Sequence, residues 1–266
     1  MTLRLQNKTA LVTGATSNLG RAIALAYGAE GAHVGVSGRS GERGAAVVEE
    51  IRAAGGRADF VAADLDGTAA ASRALAEQAT HVLGGRIDIL VNNAGIYPGT
   101  TTALTDEATF DRVYAVNVKA PFFLTAAVAP AMAEAGAGAV INLGSWIARL
   151  GIPISSLYSS TKGAMETLTR AWAAEFGPRG VRVNSVSPGP VETDLWLGGG
   201  GVADTVSAAT GLRPEEVVAQ AAGATVSGRF SHASEIAELV VFLAGDRASN
   251  ILGSNFRIDG GLIPTW

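Results

Sequence analysis

Ser145, Tyr158 and Lys162 are the side chains of this sequence best placed to do chemistry. Tyr158 and Lys162 stand four apart in the run Tyr158-Ser159-Ser160-Thr161-Lys162, and Ser145 precedes the tyrosine by thirteen residues. On a helix, positions i and i+4 share a face, so the phenol and the ammonium lie side by side while Ser145 approaches from the end of a preceding strand. A free tyrosine ionises near pH 10, and bringing it close to neutrality requires ~4 kcal/mol of preferential stabilisation of the phenolate. One cation at ~4 Å, in a site of effective dielectric about 20, supplies about that much. Lys162 is thus expected to make Tyr158 an acid/base for near-neutral pH, with Ser145 holding a substrate oxygen against the phenol. A Tyr–Lys pair at this spacing also occurs on ordinary amphipathic helices, so its meaning depends on what surrounds it.

The elements that must position these groups can be read along the chain. Lys8-Thr9-Ala10-Leu11-Val12 reads as a buried strand running into the turn Thr13-Gly14-Ala15-Thr16-Ser17-Asn18-Leu19-Gly20, and then into the helix Arg21-Ala22-Ile23-Ala24-Leu25-Ala26. Strand, glycine turn and helix in that order leave backbone N–H groups at a helix N-terminus pointing at a pyrophosphate. Short β-branched runs alternate with alanine-rich stretches beyond this, which predicts βαβ units around a parallel sheet. Seven strands are expected, near Thr9–Thr13, His33–Ser37, Asp59–Ala63, Ile87–Asn92, Ala139–Leu143, Arg182–Ser187 and Asn255–Ile258. One intervening helix is expected to open at Asn117 and another to run from about Tyr158 to Phe176. The crossover rule and a chain reversal near the fourth strand give an α/β doubly wound sheet, with helices on both faces and a cofactor at its C-terminal edge.

The glycine turn, Asn92-Asn93-Ala94-Gly95, Asn117, Ser145, Tyr158, Lys162 and Pro188-Gly189 fall in one order and spacing. From about Leu5 to Gly261 the chain therefore resembles the short-chain dehydrogenase/reductase family of the compact single-domain type, with 3-oxoacyl reductase and ketoreductase-like members. The resemblance implies one NAD(P)-binding Rossmann-type domain over residues 1–266, with a substrate lid at about 190–228. It implies hydride transfer between a nicotinamide and a carbonyl or secondary alcohol. Tyr158 would be the acid/base, Lys162 would also grip the nicotinamide ribose, Ser145 would polarise the substrate oxygen, and Asn117 would hold a water linking the lysine to solvent. From sequence alone a helix cap is the competing reading of Asn117.

On the cofactor side the resemblance points to Gly14, Ser17, Asn18, Leu19 and Gly20 in the first turn, and to Asp64 and Leu65 beside the adenine. It also points to Asn92, Ala94 and Gly95 after the fourth strand, and to Pro188, Gly189, Val191 and Thr193, besides Tyr158 and Lys162. Asn18 departs from the pattern, which has a glycine there; Asn tolerates left-handed backbone angles, so the turn is expected to survive. Asp64 has a helix N-cap as its competing reading, and Thr193 a loop cap. Cofactor choice turns on Val34-Gly35-Val36-Ser37-Gly38-Arg39-Ser40. No acidic residue ends this strand to take a ribose 2′-hydroxyl, and the planar fork of Arg39 suits a 2′-phosphate, so NADP(H) is favoured over NAD(H). A solvated surface arginine is the alternative, and Ser17 stands where NADP-preferring relatives often have a second basic residue.

Composition closes off other classes. The chain has 266 residues, 48% hydrophobic and 17% charged, enough for one large α/β core. A net charge of −4 gives no attraction to nucleic acid or anionic membrane. There is no cysteine, which removes disulfides and thiolate chemistry, and His33, His81 and His232 lack ligand spacing, so no metal is expected. The sequence shows no eighteen-residue apolar run and no signal-peptide core at its start, so a soluble cytoplasmic protein is expected.

Two further features are open. Gly198-Gly199-Gly200-Gly201, inside Pro190 to Gly228, reads as a flexible lid or as a disordered surface insertion. Trp146, Leu150, Ile152, Leu195 and Trp196 read as walls for a hydrophobic substrate or as ordinary core. The helices at Asn117 and Tyr158 carry an apolar excess at Phe122, Phe123, Ala164, Leu168 and Trp172, which suits helix-on-helix packing in a homodimer, and the resemblance implies a homotetramer. Two alternatives share these features: C=C or C=N reduction, dehydration or epimerisation on the same fold, and a dinucleotide-binding sensor or scaffold without turnover.

Overall fold

A computed structural model describes residues 3–263. All seven expected strands are present: β1 Thr9–Val12, β2 His33–Gly38, β3 Arg57–Ala62, β4 Ile89–Asn92, β5 Gly138–Leu143, β6 Val181–Pro188 and β7 Asn255–Ile258. They form one parallel sheet in the order β3-β2-β1-β4-β5-β6-β7. β1 pairs with β2 on one side and with β4 on the other, so the winding reverses between β1 and β4. Loops leaving the two strands diverge there and open a crevice at the C-terminal edge of the sheet.

Strand periodicity divides the core in two. Ala10 and Val12 of β1, and Ile89 and Val91 of β4, face one side, packing with α1 (Asn18–Ala29), α2 (Gly41–Ala53) and α10 (Ala233–Ala244). Leu11 and Leu90 face the other, with α3 (Ala69–Val82), α5 (Ala120–Glu134) and α6 (Ser156–Phe176). Because both faces are covered, these strands read as unbroken apolar runs rather than alternating ones.

Asn117 does not open a helix. α4 (Glu107–Tyr114) continues through a five-residue π-helical segment, Ala115–Lys119, straight into α5. Asn117 sits in the middle of that wide turn, buried, so the helix-cap reading is overturned. The continuous run Glu107–Glu134 is the one helix among the described residues long and apolar enough to cross a membrane, with hydropathy 1.3. Half of that window is buried, and α5 packs on α3 and β5 as a core helix.

Between β6 and α10 the chain forms α7 (Asp194–Leu197), α8 (Val202–Thr210) and α9 (Pro214–Gly223). The four glycines make a closed turn here. The Gly198 N–H donates to the Asp194 carbonyl at 2.9 Å, that of Gly201 to the Gly198 carbonyl at 2.9 Å, and that of Gly200 to Asp204 Oδ2 at 2.7 Å. Side chains at 198 and 201 would meet the Asp194 carbonyl oxygen at 2.6 Å and the Gly198 carbonyl oxygen at 2.7 Å.

Candidate active site

A cleft of about 700 Å³ occupies the crevice at the switch between β1 and β4. Its floor is the first turn. Gly14 has φ +62°, and a Cβ on Gly20 would lie 2.2 Å from the Gly14 carbonyl oxygen, so the helix start can approach the strand only without a side chain. Asn93 locks this turn to β4 by donating from Nδ2 to the carbonyls of Thr13 and Gly14, at 2.9 and 3.2 Å. Gly14, Ser17, Asn18, Leu19, Gly20, Arg39, Asp64, Leu65, Ala94, Gly95, Pro188, Gly189, Val191 and Thr193 all line the cleft, as do Ser145, Tyr158 and Lys162.

Two expected residues do not. Asn92 is turned into the core, where its Nδ2 donates to Thr125 Oγ1 and Asn142 Oδ1 at 3.1 and 2.9 Å, tying β4 to α5 and β5. The strand ends at Asn92, and period-two alternation sends the next side chain, Asn93, to the opposite face and the cleft. Asn117 lies behind the lining. Its Oδ1 accepts from the Ile96 N–H at 2.9 Å, while Nδ2 donates to the Ile96 carbonyl at 3.0 Å and to Thr161 Oγ1 at 3.2 Å. It clamps the loop after Gly95 against the helix that carries Tyr158 and Lys162.

Ser145 stands two residues beyond β5, and its Oγ accepts from the Ile147 N–H at 3.4 Å, starting a 3₁₀ turn over Trp146–Arg149. The turn is pinned at its far end, where Arg149 pairs with Glu166 at 2.9 Å, and Glu166 also accepts from Asn255 at 2.6 Å. α6 places Lys162 one turn after Tyr158 and Glu166 one turn after Lys162, which is the spacing that lets one helix face serve the cleft and its support.

Burial dominates the electrostatics of this pair. It pushes the Tyr158 phenol well above its ordinary value; the neighbouring Tyr97 adds to that, and the Ser145 hydroxyl acts in the opposite sense. Burial lowers Lys162 to about 8. The Lys162 ammonium lies 5.4 Å from the centroid of the Tyr158 ring and donates to the Leu143 carbonyl at 2.8 Å. The expectation that Lys162 alone draws the phenol toward neutrality is therefore not met in this state, because desolvation outweighs a cation held by a backbone carbonyl.

The outer half of the cleft is basic. Arg39 and Arg43 both line it, at the end of β2 and in the first turn of α2. Gly38 comes so close to Thr16 that a Cβ there would lie 2.6 Å from the threonine methyl, which keeps a side chain, acidic or otherwise, out of that position. Asp64 lies 3.5 Å from Arg112 at the rim. The N-cap of α3 is Thr68, whose Oγ1 accepts from the Ala71 N–H, so Asp64 is not the helix cap.

The inner half is apolar. Trp146, Ile152, Leu195 and Trp196 line it as expected, while Leu150 is exposed outside it. Sequence reading passed over Tyr97, Ser155, Val202 and Val206, which complete the wall. The Tyr97 ring stands edge-on to that of Tyr158, centroids 5.1 Å apart, with its hydroxyl 3.1 Å from Ser155 Oγ. Arg43 was legible as a cation four residues after Arg39; Val202 and Val206 had no signal, since they reach the cleft only through the way α8 folds back. Among the described residues no group of three or more His, Asp or Glu side chains gathers as for a metal ion.

A protein-family model described as short chain dehydrogenase matches residues 8–197. A 3-oxoacyl-[acyl-carrier-protein] reductase of Thermotoga maritima is 32% identical over 261 residues, covering 98% of this chain and 100% of the relative. A cyclopentanol dehydrogenase of a Comamonas species is 34% identical over 262 residues, covering 97% and 98%. A crystal structure of L-sorbose reductase from Gluconobacter frateurii, complexed with NADPH and L-sorbose, has a TM-score of 0.89 and 28% identity and covers both chains fully.

Proposed function

The chain belongs to the short-chain dehydrogenase family and is an NAD(P)-dependent oxidoreductase acting on a carbonyl or alcohol, and on that premise we propose that it prefers NADP(H) and acts on an apolar, uncharged ketone or secondary alcohol through Tyr158. The observation that carries the reading is the convergence of Ser145, Tyr158 and Lys162 on one cleft with the glycine turn. The residues present fit a dinucleotide: Gly14 and Gly20, which have no room for a Cβ, let the turn close tightly between β1 and α1, and the cleft opens at the N-terminus of that helix.

When bound, the nicotinamide supplies or takes up the hydride. The chain's own groups handle the proton. Ser145 donates to the substrate oxygen and orients it, and the Tyr158 hydroxyl gives its proton to that oxygen in reduction and takes it back in oxidation. Lys162, with a pKa near 8, would hold the nicotinamide ribose and, when protonated, favours the phenolate. Asn117 acts from behind by holding Ile96 and Thr161.

Arg39 and Arg43 support NADP(H), offering two cations to a 2′-phosphate where a hydroxyl-binding carboxylate is excluded. Trp146, Ile152, Leu195, Trp196, Val202 and Val206 support the apolar substrate, since the cations of the cleft other than Lys162 lie on the adenine side. The whole chain is read as one cofactor-binding domain with residues 190–228 as its lid, working in the cytoplasm as a homotetramer or homodimer through the faces of α5 and α6.

The test is absorbance-monitored turnover of NADPH and NADH, and of their oxidised forms, against cyclic and aromatic ketones, sugars and secondary alcohols. Tyr158→Phe should lower kcat by at least ~10²-fold while still binding the dinucleotide. A variant that turns over as fast as the wild type would remove Tyr158 from the proposal.

A further inference from the structure

Asn18 bonds across the cleft to the lid. Its φ of +49° places it in the left-handed region, where a glycine would be equally at ease. Its side chain does what glycine could not: Oδ1 accepts from the backbone N–H of Asp194 at 2.9 Å, across 176 residues of sequence. Asp194 is the first residue of α7, whose N–H has no acceptor within the helix, so the bond satisfies a donor that is otherwise left over. It is also the residue between Thr193 and Leu195, both of which line the cleft. The same segment is fixed on its other flank by the bridge of Val191 to Ser231 and by the Trp196 ring against Phe230, centroids 5.0 Å apart. Among the described residues the Asn18 amide nitrogen, Nδ2, has no hydrogen-bond partner, and the side chain belongs to the cleft lining beside the first turn.

We propose that Asn18 is a positioning residue that links the dinucleotide phosphates to the root of the lid, so that cofactor binding and closure of the substrate wall are coupled through one carboxamide. The amide is a rigid plane with a donor on one side and an acceptor on the other. A phosphate oxygen accepting from Nδ2 fixes that plane, and Oδ1 is then held toward the Asp194 N–H. Leu195 and Trp196 are set in place by the same contact, before any substrate arrives. The coupling rests on the reading of the first turn as a dinucleotide site; the bond from Oδ1 to Asp194 does not.

Two variants separate the parts. Asn18→Gly keeps the left-handed turn and deletes the tie. Asn18→Asp keeps an acceptor for the Asp194 N–H but sets a negative charge where phosphates approach. Hydrogen–deuterium exchange of peptides spanning 194–210 is measured for each protein alone and with NADPH, alongside NADPH titration by tryptophan fluorescence and steady-state kinetics. In the wild type, NADPH should slow exchange at 194–197. In Asn18→Gly, exchange there should be about fivefold faster without cofactor, the scale of one lost hydrogen bond, and NADPH should no longer slow it. Its KM for the carbonyl substrate should rise about fivefold, more than kcat falls and more than NADPH affinity falls. Asn18→Asp should restore slow exchange in the free protein while weakening NADPH. Wild-type exchange and wild-type KM in Asn18→Gly would overturn the proposal. If the wild type bound no NADPH, the coupling would fall with the dinucleotide reading, and exchange in the free proteins would still decide the tie.

Discussion

The Lys162 ammonium donates to the carbonyl of Leu143 at 2.8 Å, and that contact holds it over the ring of Tyr158 rather than at its hydroxyl. The two groups are buried together, and burial acts on them in opposite senses, raising the phenol and lowering the ammonium to about 8. Both shifts favour the neutral forms. With a value of about 8, Lys162 still carries its proton at neutral pH, so the site as folded pairs an ammonium with a neutral phenol and loses that charge only as the pH rises past about 8.

A pH dependence of stability follows. The folded pKa of Lys162, about 8, lies below its unfolded value of 10.5. Between those values the unfolded chain binds a proton that the folded chain lacks, so Lys162 makes stability rise with pH from about 8 to about 10. Tyr158 works the other way above pH ~10, where the unfolded chain releases a proton that the folded one keeps. Urea unfolding of Tyr158→Phe and of Tyr158→Phe/Lys162→Met isolates the lysine. Between pH 7.5 and 9.5 the first should gain about 2 kcal/mol relative to the second. Parallel pH profiles would show that Lys162 is not desolvated as described.

Asn117 should matter for stability as much as for rate. It occupies both backbone polar groups of Ile96 and also bonds Thr161, next to Lys162 in sequence, all at a site with 2% exposure. Asn117→Ala should cost about 2–3 kcal/mol in urea unfolding, because partners are left unpaired in a dry site, and should lower kcat as the Ile96 loop loosens. Thr161→Val, which loses the bond from Asn117 and the hydroxyl's own bond to the Tyr158 carbonyl but leaves both polar groups of Ile96 paired, should cost less. Equal effects would place the clamp elsewhere.

Much of the site was legible because local rules and tertiary ones agree. Alternation and length gave the seven strands, and the glycine turn, Ser145, Tyr158 and Lys162 landed on the cleft as expected. Asn117 misled because a π segment joins two helices without a break, and such a segment has no capping signature. Asn92 ties β4 to β5, as is expected of a polar side chain in this motif, but it does not line the cleft, because adjacent asparagines at a strand end take opposite faces and the strand's last position decides which. Val202 and Val206 were invisible because their place in the wall depends on how α8 folds back, not on any spacing along the chain. The tie from Asn18 to Asp194 belongs to the same kind, since it joins residues at opposite ends of the sequence.

An apolar groove between α5 and α6, lined by Phe122, Phe123, Ala164 and Leu168 among others, carries the oligomer prediction. Phe122 is 41% exposed, an apolar ring left to solvent on this face. Trp172 belongs to the core instead: it is buried, with Phe122 packed against it at 5.9 Å between centroids. The wild type should scatter light as the proposed homodimer or homotetramer, and Leu168→Glu as smaller species with little change in far-UV spectrum, since a carboxylate would be buried without a partner. An unchanged mass would show that association uses another face.

Cofactor preference should be separable residue by residue. The 2′-phosphate of NADP is the feature that distinguishes it from NAD, and Arg39 and Arg43 line that end of the cleft, where the third cation, Arg112, is paired with Asp64. Charge-assisted contacts of this kind are worth about 1.5–3 kcal/mol each, so Arg39→Ala/Arg43→Ala should lose about 10²-fold or more in kcat/KM for NADPH. The same variant should change NADH turnover by far less, because a hydroxyl makes no ion pair. A switch to NAD needs a carboxylate near the ribose as well, and Gly38→Asp alone should fail, since its Cβ would stand 2.6 Å from the Thr16 methyl. Adding Thr16→Ala to the arginine changes and Gly38→Asp removes that methyl, and the combined variant should favour NADH. Equal loss with both cofactors in the double arginine variant would mean that the guanidinium groups hold adenine or the shared phosphates, and the preference for NADP would have to come from elsewhere in the cleft.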